Sequence, residues 1–184
     1  MKKKTCMISF ACYRAPIGRV FILAIDGKIA EVSIGDEKGF LRRTKARYGA
    51  LPQEDKAFFN KAFKTLDEYF KGRPVEFDLP LALSGSPFQK KVWEAIRSIP
   101  WGSVKSYGWI AGQIGKPHGA RAVGNACGAN PAPVIVPCHR VVKGDGGLGG
   151  YTGGVGIKKA LLAVEGNSSL KATRQTSTPR TQPR

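Results

Sequence analysis

The chain changes its hydrophobic rhythm once, and that change limits the folds open to it. Two β-like runs, Arg19 to Ile25 and Lys28 to Ile34, flank Asp26-Gly27. An Asp-Gly pair supplies the positive φ angles of a two-residue type I′ turn, so the spacing predicts a hairpin. Beyond Ser86 the apolar positions instead recur at helical spacing, with Phe88, Val92 and Ile96 at i, i+4 and i+8. Pro74 to Ser84 follows neither period and reads as a linker or extended crossover. The expected organisation is a small α/β unit over residues 1–80, a mainly helical domain over 84–166, and a polar, basic, disordered tail over 167–184.

Within the first unit, Arg42, Arg43, Lys45 and Arg47 read as a polar, basic connection. The segment Glu54 to Lys71 then places Phe59, Ala62, Phe63, Leu66, Tyr69 and Phe70 at helical spacing, with Gly72 able to end it. That aromatic stripe is expected to pack in the core, which leaves residues 1–80 without evident chemistry. In the second unit, Ser86-Pro87-Phe88-Gln89 forms a capping box with Pro at the first helical position, and Pro100-Trp101-Gly102 stops the helix. Ser106 to Ile114 and Ala120 to Ala129 follow as two short helices separated by Gly115-Lys116-Pro117, the outline of a helix-turn-helix. The second of these carries Ala120, Ala122, Gly124, Ala126, Gly128 and Ala129, with Arg121 its one long cation. Small residues suit either tight packing in a core or close approach to a groove; composition leaves both open.

Charge narrows the class of partner. The 184 residues hold 30 Lys and Arg against 13 Asp and Glu, a formal charge of +17. From residue 81 onward the acids are Glu94, Asp145 and Glu165 alone, against 14 bases. Such a surface favours a polyanion, since basic side chains release the counterions condensed on phosphates. The 42% hydrophobic content is enough for a core. No run approaches the ~20 apolar residues that span a bilayer. Lys2 to Lys4 followed by Thr5 to Ala11 imitates a secretion signal, but Arg14 and Arg19 interrupt it, and the chain is expected to be intracellular. Cys6, Cys12, Cys127 and Cys138 are then expected as reduced thiols.

Cys138 has the most suggestive neighbours. Pro133-Val134-Ile135-Val136-Pro137 reads as a buried, strand-like run leading to Cys138-His139-Arg140, followed by a glycine-rich loop centred on Tyr151-Thr152. A thiol there is either an inert small hydrophobe or a nucleophile raised in reactivity by adjacent cations. Consecutive side chains diverge, so His139 would act on Cys138 through a water, with Glu165 the nearest orienting acid after Asp145. The Gly144, Gly146, Gly149 spacing matches a dinucleotide fingerprint only formally, because no helix opens there. Cys6, Cys12 and His118 lack the ligand set of a zinc site, so no metal is expected.

Together these segments resemble the O6-alkylguanine-DNA alkyltransferases, the methylated-DNA–protein-cysteine methyltransferases. Pro137-Cys138-His139-Arg140-Val141 is similar to the family signature, and the likeness extends through Ser86 to Gln89, Val92-Trp93, Ser106-Tyr107, Arg121 to Gly124, Asn130-Pro131, Gly150 to Gly154 and Leu161 to Gly166. The resemblance implies a ribonuclease-H-like α/β domain followed by a C-terminal domain with a winged-helix-like helix-turn-helix. It implies irreversible, single-turnover transfer of an alkyl group from O6-alkylguanine, less efficiently from O4-methylthymine, in double-stranded DNA after base flipping. Cys138 would accept the alkyl group, His139 would deprotonate it through water, and Glu165 would orient His139. Asn130 would tie the recognition helix to the active-site loop, and Arg121 would fill the gap in the base stack. Tyr107 would press a phosphate and bond the flipped base, the Cys138 and Val141 carbonyls would read the guanine amine, and the Thr152 N–H would meet O6. Ala120, Gly124 and Tyr151 would line the DNA-facing site. The resemblance further implies a monomer acting without cofactor. Thr152 stands where the family often has serine, adding a methyl group near the pocket.

Overall fold

The computed structural model describes residues 6–167, so the tail beyond Asn167 and the lysines at 2–4 lie outside it. The expected hairpin is present as β2 (Gly18–Ile25) and β3 (Lys28–Ile34), with Asp26 at φ 47° and Gly27 at φ 75° in its turn. A strand not anticipated, β1 (Ile8–Ala15), pairs antiparallel with β2; its apolar run is the one that imitates a signal sequence. A short β4 (Gln53–Glu54) adds parallel to β1 and completes the sheet order β3-β2-β1-β4. Because Glu54 and the Asp55 N–H are spent on this edge, the next helix, α2 (Asn60–Phe70), starts later than its polar approach suggests.

The period of two in β2 explains how the sheet is covered. Val20, Ile22 and Ala24 face one cluster, while Phe21 and Leu23 face another that contains Phe10, Ala30 and Phe40. Phe40 stacks on Phe21 at 4.8 Å between ring centroids. It belongs to α1 (Glu37–Tyr48), and this helix replaces the basic connection expected from Arg42, Arg43, Lys45 and Arg47. Asp36 caps it by accepting from the Gly39 N–H at 2.7 Å, and Gly49 closes it at φ 73°. Only Gly39, Phe40 and Thr44 of α1 are buried, so its apolar stripe is too thin to stand out.

The opposite face of the sheet meets the second half of the chain. Ala62, Leu66 and Tyr69 of α2 share one core with Val92, Trp93 and Ile96 of α3 (Pro87–Arg97) and with residues around Cys138. The segment between the halves is pinned to the sheet edge: the Ile29 N–H donates to the Pro80 carbonyl at 2.7 Å and the Ala82 N–H to the Ile29 carbonyl at 2.8 Å. Val32 donates likewise to the Pro131 carbonyl at 2.7 Å. The capping box on α3 is formed, with both the Ser86 and Gln89 bonds made.

The helix-turn-helix outline is realised as α4 (Tyr107–Gln113) and α5 (Ala120–Gly128). Trp93 fastens α3 to α5 by donating its indole N–H to the Ala126 carbonyl at 2.8 Å. A two-residue parallel pairing of β5 (Lys105–Ser106) with β6 (Val141–Val142) joins the start of α4 to the residues just past Cys138. The last helix is α6 (Val155–Val164). Among the described residues, no helix is long and apolar enough to cross a membrane.

Gly85 lies against the Trp93 ring, where an added Cβ would stand 2.5 Å from Cη2. Trp93 is 2% exposed and cannot swing away. Gly85→Ala is therefore expected to lower stability by ~1–3 kcal/mol through overpacking, read as a drop in the urea midpoint at unchanged slope.

Candidate active site

Cys138 is presented by a turn, and not by the strand-like run its apolar neighbours suggest. Val134 sits at φ 75°, a left-handed conformation that a β-branched residue adopts only under constraint, and the Val136 N–H folds back to the Ala132 carbonyl at 2.8 Å. Cys138–Arg140 then form a single 3-10 turn. Pro133 and Pro137 bracket the apolar run, and with Val134 turned back the segment curls in place of joining a ladder.

Asn130, just past α5, holds this turn with every polar atom of its side chain. Its Oδ1 accepts from the Ala132 N–H at 3.0 Å, and its Nδ2 donates to the Val136 carbonyl at 2.8 Å and to Cys138 Sγ at 3.0 Å. The residue after the second helix of the pair thus touches the sulfur directly. Cys138 is 6% exposed, and burial pushes its thiol above the ordinary range. The Asn130 hydrogen bond and the Lys158 ammonium pull it back, since both favour the thiolate.

His139 and Glu165 meet as the sequence suggests, although they are 26 positions apart. His139 Nε2 lies 2.8 Å from Glu165 Oε1, with both side chains wholly buried. The opposite ring nitrogen, Nδ1, is buried and finds no partner among the described residues. Burial lowers the imidazole pKa more than the Glu165 carboxylate raises it, so the ring is neutral near pH 7. With Nε2 protonated toward the carboxylate, Nδ1 is left as the basic atom.

Glu165 carries four bonds to its two oxygens. Besides His139, Oε1 accepts from Tyr69 Oη at 2.9 Å and Arg140 Nη2 at 3.0 Å, and Oε2 accepts from Arg140 Nε at 2.8 Å. Arg140 Nη1 reaches the Ile99 carbonyl at 2.7 Å, which anchors the guanidinium to the end of α3. Burial alone would raise the Glu165 pKa; its hydrogen bonds to His139 and Arg140 outweigh that and hold the carboxyl at about 2.

A cleft of about 560 Å³ opens on Cys138 from the helix-turn-helix side, lined by Tyr107, Ala120, Arg121, Gly124, Cys127, Tyr151 and Thr152. Both readings of the small residues on α5 hold, on different faces: Val123, Ala126 and Cys127 pack inward, while Ala120 and Gly124 are half-buried at the cleft and Arg121 is exposed. Tyr107 is kept protonated by burial, with its pKa pushed up to about 12. Thr152 donates its hydroxyl to the Gly128 carbonyl at 2.8 Å, tying the glycine loop to the end of α5.

Lys158 has no counterpart in the expectations from sequence. It is wholly buried on α6, and its ammonium donates to the Val141 carbonyl at 2.5 Å and to the Leu148 carbonyl. Burial lowers it to about 8, and the two nearby thiols oppose that fall. The Val141 carbonyl, expected to read a base amine, is thus already an acceptor for this cation.

Comparison with known proteins settles the kinship. Residues 8–83 match the ribonuclease-like domain of 6-O-methylguanine DNA methyltransferase, and residues 87–167 match its DNA-binding domain. A methylated-DNA–protein-cysteine methyltransferase of Mycolicibacterium paratuberculosis is 42% identical over 159 residues, spanning 86% of this chain and 93% of that one. The chain belongs to the methylated-DNA–protein-cysteine methyltransferase family. A Methanosarcina acetivorans member is 39% identical over 164 residues, spanning 86% of this chain and 98% of its own. The crystal structure of Mycobacterium tuberculosis O6-methylguanine methyltransferase superposes with a TM-score of 0.75 at 38% identity, over 91% of this chain and 97% of the other. The same enzyme in complex with DNA gives 0.75 at 38% identity, over 89% and 95%.

In this methyltransferase, Asn130 bonded to Cys138 and His139 bonded to Glu165 form a cluster of two pairs that meet at the consecutive residues 138 and 139, and Tyr107, Arg121, Tyr151 and Thr152 line the cleft that opens on the sulfur. Sequence reasoning missed Tyr69, Arg140 and Lys158 as members of that cluster. For Arg140 and Lys158 a signal existed: each is a cation inside an apolar stretch that must bury it, which demands a partner. Tyr69 gave none, because a tyrosine in an aromatic stripe reads as packing. Cys6 and Cys12 are free, and no cluster of metal-ligating side chains occurs among the described residues.

The lowered carboxyl pKa fixes a pH dependence of stability. A carboxylate held at about 2 when folded and near 4.5 when unfolded contributes stability above pH 4.5, which is lost as pH falls toward 2. The 2.5-unit difference corresponds to roughly 3 kcal/mol. Glu165→Gln is expected to be less stable than the parent at pH 7, with the gap narrowing between pH 4.5 and 2 in denaturant titrations.

Proposed function

We propose that Cys138 is the alkyl acceptor of this methyltransferase, with His139 as its base and Glu165 as the group that orients the imidazole. The protein repairs DNA by direct reversal, moving the methyl group of O6-methylguanine to a cysteine. The single observation that carries the residue assignment is that Cys138, which lines the cleft bordered by the helix-turn-helix, is bonded at its sulfur by Asn130 and is followed in the chain by a buried His139 bonded to Glu165.

The chemistry is an in-line displacement at carbon. The Cys138 S–H proton passes through a water to His139 Nδ1, and the sulfur lone pair forms a bond to the methyl carbon. The C–O6 bond breaks, its electron pair moves onto the guanine ring, and the base takes up one proton from solvent. His139 gives back to solvent the one it took from the thiol, so that thiol and methylated base become thioether and guanine with no net change in protons. The buried thiol resists ionisation, so the proton leaves as the displacement proceeds. Asn130 Nδ2 and the Lys158 ammonium stabilise charge on the sulfur at that moment. The step requires a nucleophile, a base and a donor to the leaving group, and these come from the protein itself. The thioether formed does not hydrolyse, so each molecule acts once.

Reaching O6 in a duplex requires the nucleotide to be flipped, at a cost of a few kcal/mol that is least for a poorly paired lesion. Arg121, exposed at the start of α5, takes the space left in the stack. Ala120 and Gly124 permit close approach to the minor groove, and Tyr107 donates its hydroxyl to the flipped base. The Thr152 N–H meets O6, and the Cys138 and Val141 carbonyls meet the guanine amine. The substrate is O6-alkylguanine in double-stranded DNA inside the cell, with O4-methylthymine a poorer one, and the protein acts as a monomer.

The direct test is a single-turnover reaction with O6-methylguanine duplex, read by intact mass and peptide mapping. A gain of one methyl group on Cys138 is expected; a methyl group on Cys127 or elsewhere would refute the assignment. Cys138→Ala is expected to abolish transfer while keeping DNA affinity within about twofold. Arg121→Ala is expected to slow transfer at least tenfold while leaving affinity for undamaged duplex nearly unchanged; equal transfer by Arg121→Ala would remove it from the flipping step.

A further inference from the structure

We propose that Tyr69, a residue of the N-terminal half, is a positioning residue of the transfer reaction: its hydroxyl shares Glu165 Oε1 with His139 and so sets how strongly the carboxylate holds the imidazole. The inference rests on the reading of His139 as the base for Cys138 and extends it to a part of the chain that otherwise serves as scaffold.

The placement is specific. Tyr69 is 0% exposed, at the C-terminal end of α2. Ala62 and Leu66 lie seven and three positions before it on the same buried face. Its ring meets Trp101 and Phe70 edge-on, each at 5.1 Å between centroids, so the hydroxyl has one available direction. That direction ends 2.9 Å from Glu165 Oε1 and 3.3 Å from His139 Nε2. A phenol serving only to fill space has no need of a position between the two.

Oxygen Oε1 is oversubscribed. A carboxylate oxygen presents two lone pairs, yet Oε1 meets three donors: Tyr69, His139 Nε2 and Arg140 Nη2. Each donor weakens the hold of the others, because each draws on the same charge. The other groups whose charge acts on the imidazole or the phenol are Lys158 from α6 and Tyr151 of the glycine loop, while Cys138 precedes His139 in the turn. Of all these, Tyr69 and Arg140 compete with the imidazole for the same oxygen. Arg140 brings a formal positive charge to the carboxylate, whereas burial together with the Glu165 charge keeps the Tyr69 phenol protonated and neutral. The neutral donor is therefore the one that can be removed without changing the charge of the cluster.

Without the Tyr69 hydroxyl, Glu165 would bind the imidazolium form of His139 more tightly, and the ring would stay protonated to higher pH. A protonated ring cannot take the Cys138 proton. The transfer rate of Tyr69→Phe is therefore expected to fall several-fold more at pH 6 than at pH 8.5, with the acid limb of its pH–rate profile moved to higher pH. Replacing Tyr69 with 3-fluorotyrosine, a stronger donor of nearly the same shape, is expected to move the limb to lower pH. This second variant keeps the idea testable if Tyr69→Phe fails to fold.

Profiles that superpose on the parent in both variants would overturn the proposal, as would a uniform loss of rate at all pH values, which is the mark of a merely structural role. Peptide mapping after each reaction separates the two levels. Methyl on a residue other than Cys138 would sink the acceptor assignment itself, whereas methyl on Cys138 with an unmoved acid limb would sink only the role of Tyr69.

Discussion

A carboxylate taken out of water needs its charge matched, and Glu165 is matched from three sides at once. His139 and Arg140 come from the turn that carries Cys138, and Tyr69 comes from a helix of the first half of the chain. Each partner is itself buried, so each would be costly to leave alone. The arrangement therefore holds as a unit. It sets the imidazole tautomer, keeps the arginine against the end of α3, and makes the geometry at the sulfur depend on the packing of both halves.

The rest of the fold serves to bring those sides together. The sheet buries one face under Phe40 of α1 and the other in a core that runs from Val20 and Ile22 through Leu66 to Val92 and Ile96. That cluster draws its side chains from both halves of the chain. The edge strand β3 is also stitched to the segment between them and to Pro131, one residue past Asn130. The N-terminal unit thus braces the backbone on which Asn130 and Cys138 stand, and through Tyr69 it reaches Glu165.

A balance of opposing electrostatic effects governs the site. Burial disfavours both the thiolate of Cys138 and the imidazolium of His139, so the resting pair is neutral. Lys158 and Asn130 act in the other direction, favouring negative charge on sulfur. The same Lys158 clamps the loop through the Leu148 and Val141 carbonyls, so the charge that tunes the sulfur also shapes the pocket wall.

Much of this was written locally in the chain. The Asp26-Gly27 hairpin, the Ser86 to Gln89 capping box, the paired short helices and the cysteine signature each depend on neighbours a few residues apart, and the sequence displays them directly. Elements whose evidence is not local escaped notice. Helix α1 buries too few side chains to show a stripe, β1 is recognisable only beside β2, and the Pro133 to Pro137 run curls because Val134 turns back and Asn130 holds the loop. Sequence alone displayed the candidate groups: a thiol, an imidazole, an acid, an asparagine and a helix of small residues carrying one arginine. Tertiary structure decided which of them meet, and brought Tyr69, Arg140 and Lys158 in with them. A buried charge must find its partners wherever the core delivers them, at separations no local pattern records.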